Sequence, residues 1–259
     1  GTTVAQTNNV FTITPHASNV AAFSLTFSVT DGINGVVNAV STFGLSFIVT
    51  NSKYTALSLK ATGTGSNQTF DDASTSNLTI STTGNSSAST FSPYRHGGYA
   101  TYFDGSGDYL TVPDHEDFNI GSENFTAECW IYPTASPSQP IIMGQWSGSY
   151  SWALEMSNNS SRHLRFLTNA GSIVDNVSST AVPLNQWSHV ALVRNGTSFV
   201  AYLNGTSVVS STVTGALVNS TDALSIGANA SGSYAIQGYI SNVRVVKGTA
   251  VYTSNFTPP

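Results

Sequence analysis

The chain is short of charge. Of its 259 residues only 8% are charged, with 8 Lys and Arg against 13 Asp and Glu and a formal net charge of -5. Nucleic-acid binding draws on a basic face that displaces counterions from phosphate, and eight scattered cations do not make one. A single cysteine, Cys129, excludes a disulfide framework and leaves the redox compartment open. No run of about 18 apolar residues occurs, so no membrane-spanning helix is expected. The start, Gly1-Thr2-Thr3-Val4, has neither the basic segment nor the apolar stretch of a signal peptide, and its missing Met implies processing or trimming. Helical periodicity is also missing, so almost no helix is expected.

Hydroxyls and amides take the place of charge: serine, threonine and asparagine together make up 93 of the 259 residues. Hydrophobic residues at 40% and aromatic ones at 11% separate the chain from a disordered Ser/Thr linker and are enough for a sizeable core. Period-two alternation runs from end to end, the mark of strands with one buried face. Phe23, Leu25, Phe27 and Val29 share a face, a turn follows over Asp31 to Gly35, and Phe43, Leu45, Phe47 and Val49 repeat the pattern, which predicts a hairpin. With Phe11 and Ile13 as a third strand, this is about half of a sandwich, with open edges to be completed by the downstream domain, a neighbouring subunit or sequence before Gly1. A boundary near Thr50 to Thr55 divides the chain into an N-terminal part over 1–55 and a second domain over 56–259. Thr62 to Thr90 is strongly polar, with order suggested only by Phe70 and the Leu78/Ile80 alternation. From Tyr99 onward strands recur every 8 to 12 residues, as in a sandwich or jelly roll. Asn195-Gly196 and Asn204-Gly205 predict two consecutive tight hairpins.

Several blocks then carry a resemblance. Tyr102-Phe103-Asp104-Gly105-Ser106-Gly107-Asp108-Tyr109-Leu110, Phe125 to Pro133, Trp187 to Arg194, Tyr202-Leu203-Asn204-Gly205, Ser225-Ile226-Gly227 and Tyr239 to Val245 follow one another in an order that resembles the laminin-G-like branch of the concanavalin A-like jelly rolls. The likeness covers roughly Ala56 to Pro259. With Phe70-Asp71-Asp72 and the closing Phe256-Thr257-Pro258-Pro259, it is similar to modules of marine phage structural proteins and bacterial surface proteins. The first fifty residues resemble part of an immunoglobulin- or cadherin-like repeat. The resemblance implies an all-β, antiparallel jelly-roll sandwich with a small N-terminal immunoglobulin-like element, on the outside of a cell or virus. Trp130 and Trp187, in alternating strands, are expected in the core, and Cys129 as a small buried hydrophobe.

Seven of the thirteen acids, Asp104 to Glu128, lie within 25 residues. Carboxylates packed so densely repel one another unless a cation or open solvent relieves them. One reading is a calcium site on the turn Asp104-Gly105-Ser106-Gly107-Asp108 with help from Asp71 or Asp72, since the family often carries calcium at a sandwich rim; the other is a solvated loop. Enzyme signatures are poor. Laminarinase-type hydrolases on this fold place acids as Glu-x-Asp-x-x-Glu, whereas Glu128 is followed by Trp130 where the second acid belongs. His16, His96, His115, His163 and His189 show no metal spacing, and His189 reads as a satisfied or surface histidine. No catalysis is expected.

A sugar site wants an aromatic platform beside hydrogen-bonding groups. The segment Gly144 to Trp152 offers Trp146, Tyr150 and Trp152 among small residues, and either stacking on a sugar or capping the core fits them. Arg162 and Arg165, read as pointing the same way from one strand, form the other candidate patch. Two functions follow: an adhesion module that recognises glycans or cell-surface polysaccharide, and a filament or decoration subunit joined to copies of itself or to other structural subunits through its N-terminal strands.

Overall fold

The computed structural model describes residues 54–61, 67–93, 98–135, 138–157 and 161–259 in full, together with the backbone of four strands between 3 and 43. The chain divides into two compact units, Gly1–Thr50 and Asn51–Pro259.

In the first unit β1 (Thr3–Thr7) pairs with β2 (Val10–Thr14), and β3 (Phe23–Val29) pairs with β4 (Val37–Phe43). The expected hairpin forms, but its return strand is 37–43, with Phe23 opposite Phe43 and Val29 opposite Val37. The return strand begins at residue 37, six residues before the second apolar alternation. Leu45, Phe47 and Val49 lie outside the described residues. The Phe11/Ile13 segment is a strand, as expected, and its partner is β1.

The second unit is an antiparallel two-sheet sandwich. Its strands are β5 (Thr55–Ala61), β6 (Phe70–Asp72), β7 (Ser81–Thr83), β8 (Ser87–Ser89), β9 (Ala100–Asp104), β10 (Tyr109–Val112), β11 (Phe125–Pro133), β12 (Ile141–Gln145), β13 (Trp152–Met156), β14 (His163–Asn169), β15 (Ile173–Ala181), β16 (Ser188–Asn195), β17 (Ser198–Leu203), β18 (Thr206–Thr212), β19 (Leu224–Ile226) and β20 (Gln237–Lys247). One sheet runs β15-β14-β13-β12-β19-β10-β7; the other runs β18-β17-β16-β11-β20-β5-β6, with β9 and β8 continuing beside β20. The single helical element described is the short turn Glu116–Phe118. The polar stretch before residue 90 holds three short strands, because its backbone hydrogen bonds are met by neighbours far along the chain: β6 by β5, β7 by β10 and β8 by β9.

Alternation sends Phe125, Ala127, Cys129 and Ile131 of β11 inward to meet Trp152, Leu154 and Met156 of β13 and Leu164 and Phe166 of β14. Ring pairs bridge the sheets: Phe125 lies 5.4 Å from Trp152 and Phe166 6.3 Å from Phe199. The two Asn-Gly signals work differently. Asn204 and Gly205 both have positive φ, 50° and 76°, the requirement of a type I′ turn. After Asn195 the turn is Gly196-Thr197, with Gly196 alone at φ 62°, which suits type II′. The outer face of the β11/β16 region is covered by residues 250–256. There Tyr252 and Phe256 stack at 3.5 Å beside Tyr202, and the Glu128 carboxylate accepts from the Tyr252 hydroxyl at 2.6 Å and the Arg244 Nε at 2.5 Å.

Candidate functional site

The outward face of the first sheet carries a small cleft of about 160 Å³ lined by Gln139, Ile141, Trp146, Glu155, Arg165, Leu167 and Tyr234. Register builds its centre. In β13 the residues between the core positions, Ala153 and Glu155, face outward; in β14 so do Arg165 and Leu167. Pairing sets Glu155 directly opposite Arg165 and Leu167 opposite Asp175 of β15, so a glutamate, an arginine and an aspartate from three strands meet on one face. Arg165 donates from Nε and Nη2 to the two oxygens of Asp175, each at 2.7 Å, and from Nη1 to Glu155. Glu155 is nearly buried, and that burial pushes its carboxyl up to about 7 although Arg165 draws it down. Hydrogen bonding to Asp175 holds the Arg165 guanidinium above its ordinary value.

The aromatic wall comes from the loop between β12 and β13. Trp146 and Tyr150 stack with centroids 4.6 Å apart and planes at 26°, and Tyr150 is 38% exposed. The loop is held from below. Asp222 Oδ2 accepts from the amides of Ser147, Gly148 and Ser149 at 2.6, 2.8 and 3.0 Å, and Asn169 Nδ2 donates to the Tyr150 carbonyl at 3.0 Å. Across the cleft Tyr234, 48% exposed and at φ 61°, tops a loop gathered on Asn229, whose Oδ1 accepts from the amides of Ser231 and Ser233. The Tyr234 carbonyl accepts from the Ile141 amide at 2.9 Å. An aromatic platform held by fixed polar groups can accept a ligand with little loss of side-chain freedom.

Of the candidates taken from the sequence, Trp146, Tyr150 and Arg165 come together here. Trp152 does not: it is 1% exposed and belongs to the core, because it is an inward position of β13 opposite Thr168. Arg162 does not join Arg165 either. Three residues apart, the two cannot share a side of an alternating strand, and Arg162 lies ahead of β14 at φ 50°, its Nε donating to the Val182 carbonyl. Glu155, Asp175, Asp222 and Tyr234 were not singled out from the sequence. They are isolated in the chain, and only an outward alternating position in β13 hints at Glu155.

The four aspartates proposed for calcium do not form one group. Asp104 pairs with Gln237 at the start of β20, whereas β5, which carries β6, meets β20 at Arg244 to Val246, about 20 Å along the strand. The Asp72 carboxylate accepts from the amides of Ser58, Ser74 and Leu78 and from the Ser74 hydroxyl. Asp108, fully buried, accepts from the amides of Asn85 and Asp104, and Asp71 stands exposed opposite Lys60. Among the described residues no three His, Cys, Asp or Glu are grouped to hold a metal ion.

On the second sheet, Trp130 and Trp187 are half-buried on the outer face and not in the core, since Trp130 alternates with the inward Cys129 and Ile131. Trp187 joins Phe91, Tyr132 and Tyr239 in a surface cluster with centroids 4.7 to 6.5 Å apart. Cys129 is fully buried, and burial followed by the Glu128 charge pushes its thiol well up. His189 is buried with Nε2 3.2 Å from Glu128 Oε2. Burial alone would raise the Glu128 carboxyl, but His189, Arg244 and Tyr252 together hold it below its ordinary value. This group is sealed under residues 250–256 and fastens them to the sheet.

Comparison with known proteins agrees with the fold. Residues 104–250 match the Concanavalin A-like lectin/glucanases superfamily in its laminin G form. No curated protein matches the chain. Among solved structures, the binding domain of Paraclostridial Mosquitocidal Protein 1 is similar with TM-score 0.60 at 14% identity, over 78% of this chain and 50% of that one. The binding domain of botulinum neurotoxin serotype C1 gives 0.55 at 15%, over 77% and 50%. Domain 4 of AbnA, a GH43 extracellular arabinanase from Geobacillus stearothermophilus in complex with arabinotriose, gives 0.56 at 17%, over 75% and 95%. The chain thus spans about half the length of the toxin binding domains, and at these identities the likeness is one of fold.

Proposed function

Because the chain belongs to the concanavalin A-like lectin/glucanase superfamily, we propose that its jelly-roll unit is a non-catalytic glycan-binding module acting outside the cell, with the cleft between Trp146 and Tyr234 as its site and Tyr150 stacked on Trp146 beside it. The observation that carries this is the stacked Trp146–Tyr150 pair, fixed by Asp222 beside the hydrogen-bonding groups of Glu155 and Arg165. A sugar ring presents a C–H face to aromatic rings and hydroxyls at its rim, and the cleft offers a counterpart to each. The arabinotriose complex of the arabinanase domain, nearly all of which is spanned, supports a saccharide as the ligand class. The proposed absence of catalysis rests on the acids. Glycosidases set two carboxylates on either side of the scissile bond, whereas Glu155 and Asp175 share one guanidinium, and Glu128 is sealed beneath Tyr252.

The experiment is binding to a glycan array by the full chain and by W146A. Removing an aromatic stacking partner weakens binding by about 1 kcal/mol, roughly fivefold to tenfold. Array binding that W146A leaves unchanged would move the site elsewhere, and release of reducing sugar from any bound glycan would overturn the non-catalytic assignment.

A further inference from the structure

Resting on that reading, we infer that the cleft selects uncharged saccharides and turns away sialylated, uronate and sulfated ones, because its one cation is already neutralised by two carboxylates. Among the described lining residues Arg165 is the only Lys, Arg or His. A free guanidinium would be the natural anchor for an acidic sugar, since its five N–H groups fit a carboxylate or sulfate two at a time. Here the Nε/Nη2 fork is closed by Asp175 and Nη1 is turned to Glu155, so three of the five N–H groups are spent on the protein's own acids.

Two N–H groups remain, beside carboxylate lone pairs that are not all used. That mixture matches a hydroxyl, which accepts from one and donates to the other. It does not match an anion, which can accept only and would stand against Glu155 and Asp175. With both acids ionised the three groups carry one net negative charge. Asp222 under the aromatic loop adds to the same sign, in a chain whose formal charge is -5. Glu155 titrates at about 7, so acidification removes part of this barrier.

The test compares matched probes by calorimetry on the full chain: lactose against sialyllactose, and arabinotriose against trigalacturonate, with a printed array of neutral and acidic glycans to widen the set. W146A reports whether binding occurs at this cleft, and D175N, at a side chain 47% exposed, removes one negative charge with little threat to folding. We expect acidic probes to bind at least tenfold more weakly than neutral ones at pH 8, with the gap narrowing severalfold in D175N and again in the wild type at pH 5.5. Trp146-dependent binding that favours acidic glycans would overturn the inference while leaving the glycan-binding reading in place. A neutral preference unchanged by D175N and by pH would overturn its electrostatic cause. No Trp146-dependent binding to any glycan would defeat the underlying reading instead.

Discussion

Replacing Arg165 by methionine tests the arrangement of the cleft through pH. Folding raises the Glu155 carboxyl from its ordinary 4.5 to about 7. A carboxyl raised on folding holds its proton more tightly in the native state, so the associated stability is fully present below 4.5, declines as pH rises, and is lost above about 7. Methionine keeps apolar length but removes the hydrogen bond to Glu155 and both bonds to Asp175. The charge and the hydrogen bond of Arg165 are the two influences that lower Glu155, so without them the group climbs further. Each added unit costs about 1.4 kcal/mol, a cost that grows as pH rises from the old value towards the new one and is complete only above it. A two-unit rise therefore makes R165M about 2 kcal/mol worse at pH 9 than at pH 5. At pH 5 native Glu155 is protonated in both proteins, and only the lost hydrogen bonds remain, about 1–2 kcal/mol. Urea unfolding followed by tryptophan fluorescence measures this, because all four tryptophans lie in Asn51–Pro259. In an E155Q background the cost of R165M should be the same at both pH values. A cost that is equal at pH 5 and pH 9 in the otherwise native protein, or greater at pH 5, refutes the reasoning.

Two other outcomes follow from groups outside the cleft. Arg194 is 2% exposed and spends its guanidinium on three carbonyls, those of Gly196 at 2.9 Å, Gly215 at 2.9 Å and Gly121 at 2.5 Å; R194M leaves all three without that donor and should cost about 3–5 kcal/mol, seen as a lowered urea midpoint with unchanged slope. Because the oxygens of Asp72 and Asp108 are engaged by amides, adding calcium or EDTA should leave the thermal midpoint unchanged, and a midpoint that rises by several degrees with calcium would reinstate a metal site.

Much of the fold was legible because strands write themselves locally. Alternation in Phe125 to Pro133 marked that segment as a strand, and the two Asn-Gly pairs located β16, β17 and β18 to within a residue or two. The same local reading misplaced Trp130, Trp152 and Trp187, since a period of two separates the faces of a strand without saying which one is covered. Of the site, the aromatic loop was visible, as Trp146 and Tyr150 stand four residues apart among small residues, and so was Arg165, though not the acids that hold it.

Sequence alone determined that the chain is all-β, that its surface is nearly uncharged and that an aromatic loop precedes Trp152. These follow from composition, side-chain period and turn chemistry, which act over a few residues. Tertiary structure decided that Glu155, Arg165 and Asp175 converge, that Asp222 reaches back 73 to 75 residues to hold the aromatic loop, and that the aspartates around 71 and 104 stay apart. Strand register and the packing of distant loops set those distances, and neither is written in any short stretch of the chain.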